Sequence, residues 1–307
     1  MRIAVNAWFW NRPDTGSGQY TRQLVDGILA LSDAPDIVLV APADWEIVPP
    51  AGAQVEHVSE GGKGHIKKVC FEQIGFPRAV GRIGADLAHI PYWGSPMSCP
   101  APTVVTIHDL IPLLLPEYRG GVAPRLYTSL VAAAATGAAA VITDSEASRR
   151  DILRHLRLAP NHVHAIPLAA APAFHPRQGN LLDIGIRQKY DLPQQFVLYL
   201  GGYDVRKNLP TLLKAYTYIR DGTGDSYPLV LAGRLPESIT PRFTDVRSLI
   251  QQMNLSDVVR LIGWVDEADK PALYRLASCF AFPSRHEGFG LPVLEALACG
   301  TPVVGAD

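Results

Sequence analysis

The sequence predicts an α/β protein with two doubly wound, mostly parallel sheets. Short apolar runs typical of buried strands alternate with amphipathic helical segments along the chain. The same order begins again in the second half, after the proline-rich passage 167–176. Glycines follow several apolar runs directly, at the points where such sheets turn from strand to helix. We therefore predict two Rossmann-like domains, residues 1–170 and residues 171–307.

The composition predicts a soluble globular protein. The chain has 307 residues, of which 48% are hydrophobic and 19% are charged, and its net charge of −1 does not favour nucleic-acid binding. Its four cysteines are widely spaced and form no C-x-x-C pattern, so we expect reduced thiols. The first residues read as a strand rather than a signal peptide, and no apolar run is long enough to span a membrane. We expect a cytoplasmic protein.

In the first half, glycines stand where the first strand gives way to the first helix. The predicted strands are residues 3–7, 37–41, 87–90, 104–107, 140–143 and 163–166. Gly16 and Gly18 lie in the loop before a helix predicted at residues 21–31. Backbone N–H groups in such a loop can bind phosphate, although a tight turn without a ligand explains the two glycines equally well. The full dinucleotide fingerprint is missing, so nicotinamide binding is not indicated.

Two further features of the first half suggest function. His108 follows the strand at residues 104–107, where its imidazole can donate to a sugar hydroxyl or stabilise developing charge. The alternative is a histidine held by a loop carbonyl. Residues 61–84 mix basic and apolar side chains. Such a stretch can lie on an anionic membrane, but it is more often a helix with a solvated charged face.

In the second half, cationic residues follow the first strand. The predicted strands are residues 196–200, 229–232, 259–263, 279–282 and 301–305. Gly202, Arg206 and Lys207 lie between the strand at 196–200 and a helix that begins near residue 211. A guanidinium fork beside an ammonium group suits a diphosphate. Two solvated cations in a turn are the alternative.

The stretch 279–305 organises the chain as strand, loop, helix and strand. Seven residues separate Glu287 in the loop from Glu295 in the helix, and two carboxylates suit a ligand rich in hydroxyl groups. The helix start offers N–H groups and small residues that admit a phosphate, namely Gly288, Phe289, Gly290 and Leu291. The alternative is a solvated loop acid and an ordinary acid near the helix start.

The string EGFGLPVLEA at residues 287–296, followed by GTPVV at 300–304, resembles the E-x7-E signature of the nucleotide-sugar-dependent retaining glycosyltransferases of the group 1 (GT4) type. The segment TIHDLIP at 106–112 and the pair Arg206–Lys207 resemble the same family. The resemblance is strongest from Phe280 onward. It implies the GT-B fold, in which two Rossmann-like domains face each other across a cleft.

The resemblance also implies roles for the candidate residues. Glu295 would hold ribose hydroxyls, Glu287 and His108 would lie near the donor sugar, and Arg206 and Lys207 would bind the phosphates. Backbone near Trp264 and Val265 would contact the base. The diphosphate would also meet the backbone around Gly16 and Gly18 and the helix start near Phe289.

The reaction implied is transfer of a hexose with retention, from a UDP- or GDP-linked sugar to a glycan or lipid-linked acceptor. We expect a mannose-like sugar. No cofactor is implied beyond this co-substrate, and no D-x-D pattern or His/Cys cluster indicates a metal. Peripheral contact with the inner face of the membrane stays open, as does the choice of base.

Family members normally continue with further helices beyond the strand that ends near Asp307, so the resemblance implies a second domain that is cut short. Two alternatives remain from the sequence. One is a non-catalytic subunit or inactive fragment that binds sugar nucleotides. The other is a phosphorylase or epimerase on the same fold.

Overall fold

The computed structural model describes residues 1–13, 15–59, 61–176, 181–223 and 227–306. Asp307, where the resemblance implies a shortened domain, lies outside the described residues. The chain divides into two compact units, Met1–Pro167 and Leu168–Asp307. Each unit has a parallel sheet flanked by helices, which confirms the α/β class with two Rossmann-like units.

The first unit contains a seven-stranded sheet within the described residues. Its strands are β1 (Arg2–Asn6), β2 (Asp36–Pro42), β3 (Ala53–Val58), β4 (Leu87–Ile90), β5 (Thr103–Thr106), β6 (Ala140–Thr143) and β7 (Val163–Ala165). Its helices are α1 (Gly16–Leu29), α2 (Gly64–Cys70), α3 (Phe76–Ile83), α4 (Ile111–Leu114), α5 (Val122–Ala135) and α6 (Glu146–Leu156). A π-helical turn, Phe71–Gly75, joins α2 to α3.

The second unit contains a five-stranded sheet in the part of the chain that is described. Its strands are β8 (Val197–Leu200), β9 (Leu229–Ala232), β10 (Val259–Gly263), β11 (Cys279–Phe282) and β12 (Val303–Gly305). Its helices are α7 (Leu181–Lys189), α8 (Leu209–Thr223), α9 (Val246–Gln252), α10 (Lys270–Leu276) and α11 (Leu291–Ala298). A 3-10 turn, Val205–Lys207, precedes α8.

Each sheet has a topological switch point. The strand orders are β3-β2-β1-β4-β5-β6-β7 and β10-β9-β8-β11-β12. In each, the chain moves outward from its first strand and then returns to that strand's other side. The loops after β1 and β4, and those after β8 and β11, therefore diverge at the carboxyl edge. Open α/β sheets bind ligands in this crevice.

Both faces of each sheet are covered by apolar side chains. Successive residues of a strand point to opposite faces. Ile3 and Val5 of β1 belong to one buried cluster and Ala4 to another. In β8, Leu198 packs with a different cluster from Tyr199. The apolar runs of the sequence therefore fit a sheet that is buried on both faces. Polar side chains that act on a ligand must then lie at the strand ends.

The start of α1 corrects one expectation. The helix begins at Gly16 rather than residue 21, because Thr15 caps it by accepting a hydrogen bond from the Gly18 N–H at 3.2 Å. Gly16 and Gly18 thus lie in the first helical turn and not in a loop before it. The sequence also failed to indicate β3, whose polar residues alternate with apolar ones at the sheet edge.

The basic stretch 61–84 is mostly helical, forming α2, the π-helical turn and α3. None of the helices in the described ranges combines the length and apolar character needed to cross a bilayer. Over the same ranges, no group of three or more His, Cys, Asp or Glu side chains is arranged to hold a metal ion.

Candidate active site

The second unit brings four loops together at the carboxyl edge of its sheet. The Gly201 N–H donates to the Ala232 carbonyl at 3.0 Å, and the Gly233 N–H donates to the Gly263 carbonyl at 2.7 Å. A Cβ on Gly233 would lie 2.0 Å from the Gly201 carbonyl oxygen. The absence of a side chain there lets the loops after β8 and β9 approach each other closely.

Two cations meet one carboxylate at the switch point between β8 and β11. Lys207 donates from Nζ to Oε1 of Glu287 at 2.6 Å. Arg206 places Nη1 2.6 Å from Oε2 of the same carboxylate. Each oxygen of Glu287 therefore has its own cationic partner, and loops 80 residues apart in sequence are joined. Arg206, Lys207 and Glu287, named here the charge cluster, are the predicted residues that the structure places in contact.

Further contacts hold Arg206 in place. Its Nε lies 3.0 Å from Oδ1 of Asp204, and its Nη1 donates to the His286 carbonyl at 3.2 Å. Its own carbonyl accepts from the Arg285 N–H at 2.8 Å. The guanidinium is thus fixed by two carboxylates and by the backbone of the loop after β11. The charge cluster and Asp204 together have no net formal charge when all four groups are ionised, because Asp204 and Glu287 balance the two cations.

Burial shapes the acid–base properties of the cluster. Burial acts to raise the pKa of Glu287, but the charges of Lys207 and Arg206 outweigh it and hold that pKa below its usual value. Burial lowers the pKa of Lys207, and the nearby Glu287 carboxylate opposes this shift. The Lys207 ammonium also lies 5.4 Å from the centre of the Phe282 ring. Lys207 is therefore a largely desolvated cation whose charge depends on an anionic neighbour.

Glu295 lies apart from the charge cluster in its contacts. It is buried, and its Oε2 accepts a hydrogen bond from the Tyr274 hydroxyl of α10 at 3.1 Å. Burial raises its pKa to about 7. Across the described residues, no ion pair links Glu295 to Arg206 or Lys207. When the Glu295 carboxyl is ionised, its two oxygens can accept hydrogen bonds from a diol.

The glycines between Glu287 and α11 shape the helix start. Gly290 has a φ of +93°, in the left-handed region that favours glycine, and its carbonyl accepts from the Val293 N–H at 2.9 Å. Pro292 lies in the first turn, where its missing N–H costs no helical hydrogen bond. Leu291 opens α11, and Gly288 and Phe289 lie in the loop before it. Whether they bind phosphate stays a prediction.

The other candidates in the second unit differ in exposure. The Val265 side chain is buried in the core, so only its backbone is suited to contact a base. Trp264 is partly exposed, and the Arg234 guanidinium lies 4.9 Å from the centre of its ring. The Gly202 carbonyl accepts from the Tyr199 hydroxyl and so helps to shape the loop after β8. Arg234 was not among the residues predicted for the site.

In the first unit, His108 lies in a polar cluster at the carboxyl edge. Its Nδ1 lies 2.6 Å from Oδ2 of Asp144, which follows the neighbouring strand β6. The Tyr20 ring packs edge-on against the imidazole, with centroids 4.7 Å apart. The Tyr20 hydroxyl lies 3.2 Å from the Thr106 hydroxyl, which lies 3.1 Å from Nε2 of His89. His108 is therefore oriented by a carboxylate rather than by a loop carbonyl.

The two predicted glycines of this unit differ in their surroundings. A Cβ on Gly18 would lie 2.0 Å from the Arg12 carbonyl oxygen, so this position lets the preceding loop pack on α1. A Cβ on Gly16 would meet nothing within 4 Å. Close packing therefore explains why position 18 is glycine. Phosphate binding by either glycine stays a prediction.

Several side chains at these edges were missed from the sequence. They are Asp144, Asp204, Arg234 and Tyr274. Three of them lie just after strands or in a strand-to-helix loop, which is a usable signal in a doubly wound sheet. Tyr274 lies in a helix, and only the packing of α10 against α11 brings it to Glu295.

Comparison with known proteins identifies the family. A family model described as "Glycosyl transferase 4-like domain" matches residues 15–169, and one described as "Glycosyl transferases group 1" matches residues 185–307. The two matches cover both compact units, including the charge cluster. The chain belongs to the group 1 glycosyltransferases of the GT4 type.

Two relatives from Escherichia coli are mannosyltransferases by name. O-antigen chain mannosyltransferase B is 29% identical over 309 residues, which cover 95% of this chain and 78% of the relative. Serotype-specific mannosyltransferase WbdA is 33% identical over 211 residues, which cover 68% of this chain and 26% of the relative. The chain thus spans most of the first relative but about a quarter of the second.

Solved structures share the GT-B fold of this chain. Sucrose-phosphate synthase from Thermosynechococcus elongatus has a TM-score of 0.77 at 23% identity, covering 99% of this chain and 81% of that one. Anabaena Alr3699/HepE in complex with UDP-glucose has a TM-score of 0.69 at 17% identity, covering 99% and 80%. At these identities the likeness concerns the fold.

Proposed function

We propose that this protein transfers a hexose, preferably mannose, from a nucleoside-diphosphate sugar to a glycan or lipid-linked acceptor. The observation that carries the proposal is the charge cluster at the switch point of the second sheet. A guanidinium and a buried ammonium converge there on one anionic group, as binding of a diphosphate requires. The mannosyltransferase names of the E. coli relatives favour mannose, and the UDP-glucose complex of HepE favours a nucleotide-linked donor.

The second unit would bind the donor, and the first the acceptor. In this proposal phosphate oxygens replace the Glu287 carboxylate on Arg206 and Lys207. The freed carboxylate then accepts hydrogen bonds from hydroxyls of the donor sugar. Glu295 accepts hydrogen bonds from the ribose diol, and backbone near Trp264 and Val265 contacts the base. Buried cations are effective here because they meet the charge of the departing diphosphate in a site with little water.

We propose that transfer proceeds on one face of the sugar, with retention. The bond between the anomeric carbon and the diphosphate oxygen breaks, and a bond from that carbon to the acceptor oxygen forms on the same face. The acceptor proton passes to the departing phosphate oxygen. Arg206 and Lys207 stabilise the negative charge left on the diphosphate.

A peripheral membrane contact of the first unit is part of this proposal, because a lipid-linked acceptor would lie at a bilayer. Ile66 of α2 and Val122 and Leu126 of α5 are exposed, and basic residues stand beside them. The two helices are neighbours, since Lys68 donates to the Tyr127 hydroxyl at 2.9 Å. Apolar side chains beside basic ones suit an anionic bilayer.

Vesicle flotation tests this contact. The chain should float with vesicles that contain phosphatidylglycerol and not with pure phosphatidylcholine, and Leu126→Glu should reduce flotation. Val48→Glu is the matched control, because Val48 is a similarly exposed apolar residue of the same unit. Equal flotation of both variants would reject this surface as the membrane contact.

A mass-spectrometric donor screen tests the function itself. The chain is incubated with UDP- and GDP-linked hexoses and with free or lipid-linked oligosaccharides. The expected result is an acceptor one hexose heavier together with one free nucleoside diphosphate. Proton NMR of the purified product should then show an anomer that matches the donor. Nucleotide binding without release of free diphosphate would instead indicate a non-catalytic binding subunit.

A further inference from the structure

His108 and Asp144 form a short side-chain contact at the carboxyl edge of the first sheet. Nδ1 of His108 lies 2.6 Å from Oδ2 of Asp144. The two residues follow β5 and β6, which are parallel neighbours, so both side chains lie at the carboxyl edge of the first sheet. Asp144 is 3% exposed. A contact this short and this buried fixes the plane of the imidazole.

In each residue of the pair, the side-chain polar atom that does not take part in the contact is buried and unpaired. Nε2 of His108 and Oδ1 of Asp144 have no hydrogen-bond partner among the residues that the structure describes. Leaving such an atom buried without a partner costs the free energy of its lost hydration, so folded proteins seldom keep one without a reason. A catalytic or binding role is one of the few that explain them.

The proton on the imidazole is determined by its partner. An ionised carboxylate only accepts hydrogen bonds, so Nδ1 carries the proton in the contact with Asp144. Nε2 of the neutral ring is then a hydrogen-bond acceptor. The backbone supports this orientation, because the Ser148 hydroxyl donates to the His108 carbonyl at 3.0 Å.

We propose that Asp144 is a positioning residue that holds His108 in the Nδ1–H tautomer, so that Nε2 accepts a hydrogen bond from a hydroxyl of the bound sugar. This inference rests on the proposed function, since the ligand is a sugar substrate. It assigns His108 the role of an acceptor, whereas the sequence suggested a donor to a sugar hydroxyl. The structural alternative is that Asp144 only stabilises the start of α6.

Nitrogen NMR of the full chain with 15N-labelled histidine tests the tautomer. The signals of His108 are assigned by their loss in His108→Gln, and spectra are taken at about pH 8, where an ordinary imidazole is neutral. The expected result is a protonated Nδ1 and an unprotonated Nε2. A proton on Nε2 in the wild-type chain would overturn the proposal, and this measurement requires no folded Asp144 variant.

The functional arm compares Asp144→Asn with Ser145→Ala. Ser145 caps α6 by accepting from the Ser148 N–H at 3.0 Å, so its loss weakens the same helix while both side chains of the pair are retained. Asp144→Asn should lower the Nδ1–H population and reduce kcat/KM for the sugar substrate about tenfold, roughly the effect of one hydrogen bond to a substrate hydroxyl. The affinity for free nucleoside diphosphate, which carries no hexose, should change by less than about twofold.

Two outcomes of this arm would overturn the proposal. One is an unchanged kcat/KM in Asp144→Asn, and the other is an equal loss of kcat/KM in Ser145→Ala. A wild-type chain that transfers no sugar would refute the proposed function, while the NMR comparison would still decide the tautomer.

Discussion

Lys207 and Glu287 are joined by a hydrogen bond of 2.6 Å although they lie 80 positions apart in the chain. The contact forms because β8 and β11 are neighbouring parallel strands whose following loops leave the same edge of the sheet. With Arg206 on the other oxygen of the carboxylate, Glu287 stands where an anionic ligand would be expected. Together with Asp204, it balances the charge of the two cations in the free protein.

Replacing Glu287 by Gln should lower the stability of the protein and raise its affinity for a nucleoside diphosphate. The change removes a partly buried carboxylate between two cations, and we expect a loss of about 1–3 kcal/mol in the free energy of unfolding. The affinity for UDP or GDP should rise, because no internal carboxylate competes with the diphosphate, while sugar transfer should fall.

Urea unfolding with and without the nucleoside diphosphate measures both effects. The ligand should raise the free energy of unfolding more in Glu287→Gln than in the wild type, since a ligand stabilises the state that binds it. An equal increase in the two proteins would show that the carboxylate does not occupy the diphosphate position.

Nucleotide affinity should depend on the ionisation of Glu295. Burial raises the pKa of Glu295 to about 7, and only the ionised carboxylate accepts both hydroxyls of a ribose. Affinity should therefore rise with pH, becoming about tenfold tighter between pH 6 and pH 8. Calorimetric titration measures this, and Glu295→Gln is the control because phosphate groups of the ligand also titrate in this range. The same pH dependence in Glu295→Gln would exclude Glu295 as its source.

The contribution of Glu295 to the free energy of unfolding should fall as pH rises, whereas nucleotide affinity rises. An acid whose pKa is raised in the folded state binds more protons there than in the unfolded chain. The stability of the wild type relative to Glu295→Gln should therefore fall as pH rises from about 4.5 to about 7 and stay constant above, with a total change of up to about 3 kcal/mol. Urea unfolding across this range provides the measurement. A difference that stays constant over the whole range would mean that Glu295 ionises normally.

Gly233 should tolerate no side chain. A Cβ there would lie 2.0 Å from the Gly201 carbonyl oxygen, so Gly233→Ala must push apart the loops after β8 and β9. We expect a loss of about 3 kcal/mol or more in stability. In Gly222→Ala, the new Cβ meets nothing within 4 Å in the last turn of α8, and we expect a gain of up to about 1 kcal/mol. Thermal unfolding of the pair measures the contrast, and a mild effect at Gly233 would show that the loops are pliable.

Much of the fold follows from short apolar runs that glycine or polar residues close. Strands β4, β6, β9, β10 and β11 match the ranges predicted from the sequence. The start of α1 does not, because the two glycines near its first turn suggest a loop while the cap at Thr15 starts a helix. Edge strand β3 was missed because polar residues interrupt its apolar ones, so that it contains no continuous apolar run.

The candidate site was predictable in part. Strand ends with glycines, cations and acids indicate the charge cluster, because parallel strands place their carboxyl ends at one edge. The hydrogen-bond partners of the other candidate residues were not predictable. Glu295 contacts Tyr274 of α10, and His108 contacts Asp144 after β6. Both contacts depend on which strands and helices become neighbours, and local sequence does not carry that information.

The most direct test of the account is calorimetric titration of the wild-type chain, Arg206→Ala and Lys214→Ala with UDP and GDP. Lys214 is an exposed cation of α8 and serves as the control. We expect the wild type to bind at least one of the two nucleotides. Arg206→Ala should weaken that binding by about 2 kcal/mol, or roughly 30-fold, and Lys214→Ala should leave it unchanged. No binding of either nucleotide by the wild type, or equal affinity in Arg206→Ala, would contradict the claim that the charge cluster binds the donor diphosphate.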